Sequence, residues 1–312
     1  MIKKNRHTIS KVKELIKDTG IKKISFDIDT SKLTSLLVGG RCFCFVVVDS
    51  REELKEIISI CLKNEIKVVA IGSGTNILFN DNYLDLMLVK LGRNFDYLRL
   101  GNDDEIMVGA AYKLSKFVNK TGKWGFDFSF LAGIPGTSGG GISGNSGDRK
   151  QGICSFVKKI RCIMIKKNVF IEKDINITTK DFGYRFFSVP NLLVITDIIL
   201  KSEKLDRRLI LEKIRNKTRS RKLSQPTNTK NAGCFFKNPD SFSKSAGEMI
   251  DRCGLKGFIY GGARVSKKHA NFIENFKNAN AEDIAVLSRI VKSMVKERYG
   301  IELEYEVRMI GF

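Results

Sequence analysis

Apolar positions recur at two spacings along this chain, and the switches between them outline its elements. Residues 8–19 place Val12, Leu15 and Ile16 on one face of a predicted short helix that Gly20 stops. The run RCFCFVVVD (41–49) then reads as a strand. REELKEIISICLKN (51–64) reads as a helix, with Leu54, Ile57, Ile58 and Cys61 at helical spacing, and IKVVAIG (66–72) as a second strand. Together these three segments form a β-α-β unit. Strands are also expected at LMLVKL (86–91), IMVGAA (106–111), VKKIRCIMI (157–165) and LLVITDIIL (192–200), with a helix at YKLSKFVNKTG (112–122). The clearest helix is AEDIAVLSRIVKSMVKERYG (281–300). Its apolar face is Ile284, Leu287, Ile290, Val291, Met294 and Val295, with Asn280 as N-cap and Gly300 as stop. The closing segment IELEYEVRMIGF (301–312) alternates over much of its length and predicts a final strand.

Two segments break these periods with glycine. IGSGTN (71–76) follows a predicted strand directly. It carries Gly72 and Gly74, but the third position of a dinucleotide fingerprint is Ile77, so a Rossmann reading is weak. GIPGTSGGGISGNSG (133–147) has 7 glycines in 15 residues. Such a run is costly to order in a helix or strand, and structured segments flank it, so it reads as a functional loop. Two glycine loops, one short and one long, suit a dinucleotide cofactor, because such turns offer backbone N–H groups to a pyrophosphate.

Composition narrows the class. At 312 residues and 42% hydrophobic, the chain is long and apolar enough for two or three packed domains. No apolar run approaches the roughly 20 residues of a membrane span. The N-terminal MIKKNRHTISKVKEL lacks the apolar centre of a secretory leader. A cytoplasmic protein with no membrane association is therefore expected. Seven cysteines without a CxxC pair, beside two histidines, argue for reduced thiols and no metal site. The formal net charge of +21 would attract polyanions. The basic residues are spread out, however, with one dense cluster at Arg207–Lys222 that reads as a basic helix leading into a loop. Nucleic acid is not the expected partner.

The motifs, taken in order, carry a resemblance. VGG (38–40), IGSGTNIL (71–78), FLAGIPGTSGG (130–140) and FGYR (182–185) are followed by Gln225-Pro226, NAGCFFKNP (231–239) and AGEMID-x-CGLKG (246–257). GGARVSKKHANFI (261–273) and LEYEVRMIG (303–311) complete the series. This order resembles the MurB family of UDP-N-acetylenolpyruvoylglucosamine reductases across nearly the whole chain. The short gap between FGYR and LLVITDIIL is similar to the shorter, type II subgroup. The resemblance implies an α+β protein. An FAD-binding domain of the vanillyl-alcohol-oxidase type, in two α/β lobes, is expected over 37–203 after a lead-in at 1–36, with a C-terminal α+β substrate-binding domain over 204–312. It implies FAD and NADPH as cofactors, a UDP-sugar substrate and a monomer.

The same resemblance implies the site. FAD contacts fall on Gly72, Ser73, Gly74, Thr75 and Asn76, and on Gly133, Ile134, Pro135, Gly136, Thr137, Gly139, Gly140, Asn145 and Gly147. The catalytic residues implied are Arg185, Cys234 and Glu306. Tyr184, Lys222, Asn238 and His269 fall where family members meet the substrate. The chemistry suits these types: an arginine can hold a carboxylate bidentately, and a thiol of pKa about 8.5 is a better proton donor than a hydroxyl. The family most often has serine at the Cys234 position. Without the motifs, Arg185 reads as one more surface cation, Cys234 as a small buried residue, Glu306 as one exposed position of an alternating strand, and His269 as a packing residue. The chain departs from the family at Thr75, where serine is usual, and at SGDRKQG (146–152), where Ala-Gly-Ala-Tyr-Gly often follows the asparagine. Another flavoprotein of the same fold and a basic nucleic-acid-binding protein are the competing readings. NAGCFFKNP and the EVR ending argue against the first, and the glycine loops against the second.

Overall fold

The computed structural model of the chain describes residues 6–239 and 244–312. Residues 1–5, part of the segment read as lacking a leader's apolar centre, lie outside the described residues, as does the Asp240 that follows NAGCFFKNP. The chain forms two compact units, each discontinuous in sequence. One comprises the described residues of Met1–Ile28 with Cys42–Gly72 and Asp85–Arg219. The other comprises Asp29–Arg41, Ser73–Leu84 and Ser220–Phe312.

The first unit is built on two sheets. The β-α-β reading holds: strand Arg41–Val48, helix Arg51–Lys63 and strand Lys67–Ala70 follow in sequence. Ser50 caps the helix by accepting from Glu53 N at 3.1 Å, and the helix buries Leu54, Ile57, Ile58 and Cys61. Strand Leu84–Leu91 lies between the two strands of that unit, so the four-stranded order is Ile24–Asp29, Arg41–Val48, Leu84–Leu91, Lys67–Ala70. Val12 and Ile16 from helix Arg6–Asp18 close the core against Phe43, Val46 and Ile57.

The second sheet of this unit is antiparallel, in the order Leu98–Leu100, Glu105–Gly109, Leu192–Lys201, Val157–Lys166, Val169–Asn176. Its core centres on Phe117, Phe126 and Phe128. Asp197 interrupts the apolar run of the central strand, and its carboxylate is paired. It accepts from Tyr97 Oη at 2.5 Å and meets Arg51, which also reaches Glu172. A charge inside a sheet persists only with such partners.

The second unit surrounds a core of Leu36, Leu78, Phe235, Phe236, Met249, Ile284 and Val291. Helix Ala281–Tyr299 closes it with the predicted caps. Asn280 and Asp283 form a reciprocal capping box, and Gly300 takes φ +68°. Beside it pack helix Ala246–Arg252 and a small antiparallel sheet, Ile259–Tyr260, Ala263–Val265 and Ile273–Asn275.

Two local expectations are corrected. The final strand is confined to Arg308–Ile310, which pairs in parallel with Ile77–Phe79. Ahead of it, Glu306 and Val307 N–H both turn to Phe235 O, so the polar-apolar alternation there reflects a clamp rather than a ladder. The glycine-rich segment is not all loop: Ser138–Ser143 is a short helix capped by Thr137. Its glycines are what seat it. Gly139 donates to Ala110 O at 2.9 Å, and a Cβ there would lie 2.8 Å from the Ala110 methyl.

Candidate functional site

The first unit carries Gly72, the long glycine segment and the FGYR hairpin. Gly72 faces the Thr137 hydroxyl, 2.6 Å from where a Cβ would stand. That hydroxyl accepts from Gly140 N at 3.3 Å, so the two glycine segments are packed through one cap residue. Ser138 donates to Tyr112 O, and Gly136 O accepts from Leu114 N, which ties the segment to the start of helix Leu114–Trp124. Gly133 and Gly136 take φ of +81° and +128°. No carboxylate stands within 133–147, and hydroxyls flank its glycines. A pyrophosphate requires this donor chemistry, so the residues fit an FAD phosphate.

Beyond Asn145 the sequence departs from the family pattern it resembles, and the local structure accounts for the residues that stand there. Gly147 and Gly152 pair across a tight hairpin, where a Cβ on Gly147 would meet Gln151 O at 1.9 Å. Asp148 accepts from Lys150 N and Gln151 N within the turn and pairs with Lys217 at 3.2 Å. Burial raises the Asp148 carboxyl, but those N–H groups and the Lys217 ammonium outweigh it and hold the carboxyl below its usual range.

Arg185 reaches back to this segment. Strands Phe182–Gly183 and Phe186–Phe187 leave Tyr184 and Arg185 as a two-residue tip, with Arg185 at φ +49°. Its guanidinium donates to Gly147 O at 3.1 Å and to Asn145 O at 3.4 Å, and it lies 5.8 Å from the Tyr184 ring centroid. The buried Asn145 completes the link, donating to Gly183 O at 2.7 Å and accepting from Cys154 N at 2.9 Å. Asn145, Gly147, Tyr184 and Arg185 therefore form one cluster.

The second unit brings together Ser73–Asn76, Cys234 and Glu306. Gly74 sits at φ +65°, with Leu33 O only 1.8 Å from a notional Cβ, so no side chain fits there. Gly74 O accepts from Ser35 N at 3.0 Å, and the Ser35 hydroxyl donates to Asn231 O at 2.6 Å. The Asn231 side chain accepts from Gly233 N and donates to Pro226 O, which fixes the turn leading into Cys234. Phe236 bridges Tyr305 in antiparallel fashion, and Glu306 N donates to Phe235 O at 2.9 Å. In that register Cys234 and Glu306 are near neighbours on adjacent backbones. Asn76 closes the group by donating to Glu306 O at 3.0 Å.

Cys234 is half-buried, unlike most thiols of this chain. Burial pushes Cys42 and Cys154 up to about 12 and Cys162 to about 11, and raises Cys44 further, which leaves those four inert.

The substrate-side residues are placed variously. Lys222 is exposed in the last turn of helix Arg207–Ser224, where its carbonyl accepts from Lys268 Nζ. Asn238 Oδ1 accepts from Ala246 N at 3.0 Å. His269 is half-buried, with its ring edge-on to Phe272 and Nδ1 accepting from Asn271 N at 3.2 Å. Burial, reinforced by nearby Lys256, lowers its pKa, so the ring is neutral at pH 7. The sequence reading missed Ser35, Asn231 and Asn271 as organisers of this group. Asn231 and Asn271 lie within NAGCFFKNP and GGARVSKKHANFI, so the signal was present without its mechanism.

Comparison with known proteins covers both units. Residues 225–310 match the C-terminal domain of UDP-N-acetylenolpyruvoylglucosamine reductase, and residues 43–166 match an FAD binding domain. The chain is 34% identical over 289 residues to the UDP-N-acetylenolpyruvoylglucosamine reductase of Wolbachia sp. subsp. Drosophila simulans (strain wRi), covering 92% of this chain and 95% of that protein. It is 35% identical over 292 residues to the protein of the same name from Orientia tsutsugamushi (strain Boryong), covering 90% and 92%. Among solved structures it is similar to the UDP-N-acetylenolpyruvylglucosamine reductase of Thermus caldophilus. That match has a TM-score of 0.75 at 29% identity and covers 92% of this chain and 98% of that one.

Proposed function

This chain belongs to the UDP-N-acetylenolpyruvoylglucosamine reductase family, FAD-containing oxidoreductases of UDP-N-acetylmuramate synthesis that use NADPH, and we propose that its own Cys234 delivers the proton that completes the reaction. What supports this reading is the chain of backbone links within one unit: Glu306 N bonds Phe235 O, next to Cys234, and Glu306 O accepts from Asn76.

FAD, when bound, would supply the two-electron hydride chemistry that links NADPH to the terminal carbon of the enolpyruvyl group. The protein residues act on the substrate. Arg185 holds the substrate carboxylate, on which negative charge grows as hydride arrives, and a planar guanidinium suits that task. The Cys234 thiol gives its proton to the carbon beside the carboxylate, and the thiolate regains a proton from solvent before the next turnover. Glu306 hydrogen-bonds the enediolate as its charge develops. Lys222 offers a point charge to the UDP diphosphate, while Tyr184, Asn238 and His269 line the substrate. FAD contacts are assigned to Ser73–Asn76 together with Gly72, Gly133–Thr137, Gly139, Gly140, Asn145 and Gly147. We place the reaction in the cytoplasm, where UDP-sugars and NADPH are made. Among the described residues no helix is long and apolar enough to cross a membrane.

The first test is optical. Purified protein should bind FAD and absorb as a flavoprotein, be bleached by NADPH under anaerobic conditions, and recover its absorbance when the enolpyruvyl sugar nucleotide is added. Protein that takes up no FAD, or whose bleached flavin the substrate leaves unchanged, contradicts the reading.

A further inference from the structure

We infer that Asn271 is a positioning residue for Cys234, acting through the backbone of Phe235 and Phe236. The inference rests on the proposed role of Cys234 and extends it to the group that holds the thiol in place.

Asn271 is almost wholly buried, at 2% exposure, and its hydrogen bonds go to the segment after Cys234 and to His269. Its side chain spans one residue of that segment: Oδ1 accepts from Phe236 N at 2.9 Å, and Nδ2 donates to Phe236 O at 2.8 Å. Its backbone carbonyl accepts from Phe235 N at 2.7 Å. Three hydrogen bonds from a single residue thus fix the three successive peptide units between Cys234 and Lys237. On the opposite side, Glu306 N donates to Phe235 O, and the Tyr305 ring stacks on Phe236 at 5.5 Å between centroids. The segment is clamped from both edges, and one edge carries Glu306. A second support lies beneath: His269 Nδ1 accepts from Asn271 N, and Gly247 leaves room for that ring, since a Cβ there would stand 2.9 Å from His269 Cε1.

This is more than core packing. An amide that both donates to and accepts from one residue's backbone holds it against sliding and rotation, where an apolar side chain would leave both polar groups unsatisfied. A proton donor must lie within hydrogen-bond reach of its target, and a displacement of about 1 Å at a reacting group can slow a step on the order of a hundredfold. Cys234 precedes the clamped pair directly, so its thiol position is inherited from Asn271.

The experiment uses the holoenzyme and follows flavin bleaching by NADPH and its reoxidation by the enolpyruvyl sugar nucleotide separately. Asn271→Asp at pH 8.5 presents an ionised carboxylate that still accepts from Phe236 N but faces Phe236 O without a proton. Reoxidation should slow by about tenfold or more, with bleaching nearly unchanged. Burial raises the pKa of such a carboxyl, and its protonated form restores the donor. Reoxidation by the variant should therefore recover toward the wild-type rate as pH falls to 6.5, by clearly more than the roughly twofold gain that reprotonation of an ordinary thiol gives the wild-type protein over the same range. His269 touches the site directly, with Lys256 and Asp251 beside it. Their titration is common to both proteins and cancels in the comparison.

Asn271→Ser, which carries no charge, is the second variant. It should slow reoxidation by itself but add no further slowing to Cys234→Ala, because a misplaced donor matters only while a donor is present. If Asn271→Asp or Asn271→Ser slows bleaching and reoxidation equally, or if Asn271→Ser and Cys234→Ala combine additively, the inference is overturned and Asn271 is a packing residue. If Cys234→Ala itself reoxidises at the wild-type rate, the parent reading of Cys234 fails instead.

Discussion

At the scale of single residues, environment separates side chains of the same type. Seven cysteines stand in the chain, and five of them, Cys42, Cys44, Cys61, Cys154 and Cys162, are buried. Cys234 and Cys253 are half-buried. Iodoacetamide applied to the native protein should therefore label Cys234 and Cys253 first, and the other five only after unfolding, as read by peptide mass spectrometry. Equal labelling of all seven in the native state would contradict this burial pattern. The resemblance pointed to Cys234 as the chemically active thiol, but composition alone could not, because a free cysteine in a reduced protein is usually a small core residue. The residues that hold it were less legible. Asn231, Asn271 and Ser35 act by hydrogen-bonding backbone groups that are remote in sequence, and polarity patterns carry no record of such pairings. His269 shows the same limit: its ring accepts from Asn271 N, a bond that spacing cannot reveal.

At the scale of elements, local signals succeeded where they were locally satisfied. The helix Ala281–Tyr299 has its cap, apolar face and glycine stop within one stretch of chain, and all three are realised. The final strand failed because its alternation has another cause, the backbone clamp on Phe235. The short helix Ser138–Ser143 was hidden by glycine's poor helix propensity, which close packing on Ala110 and Leu114 overrides. The hairpin after Asn145, where the chain departs from its family, carries its own stabilising device in Asp148. The carboxyl is held below its usual range, so its contribution is fully present above the unfolded pKa of about 4 and is lost as pH falls through the lower folded value. Asp148→Asn should lower stability by about 1 kcal/mol or less at pH 7, since the Lys217 pair is partly exposed and screened by salt. The gap from wild type should shrink in urea titrations below pH 4. A gap that widens on acidification would show that the hairpin does not depend on the ionised carboxylate.

At the scale of the whole molecule, the two units each draw on separated stretches of sequence. Asp29–Arg41 and Ser73–Leu84 belong with the C-terminal residues. A reading that proceeds along the chain finds elements in order and cannot see that Leu36 and Leu78 pack with Phe235 and Val291. This interleaving has a functional consequence. It places Ser73–Asn76, a glycine turn near the start of the chain, against Glu306 near its end, so a loop assigned to the cofactor is braced by the segment that carries an acid assigned to the substrate. The proposed role of Cys234 as proton donor is tested by a stopped-flow comparison of wild type, Cys234→Ala and Cys234→Ser in the two half-reactions. Near-normal flavin bleaching by NADPH is expected in all three, with reoxidation by the enolpyruvyl sugar nucleotide slowed by about a hundredfold or more in Cys234→Ala and substantially retained in Cys234→Ser. Reoxidation of Cys234→Ala at the wild-type rate, or equal slowing of both half-reactions, would contradict it.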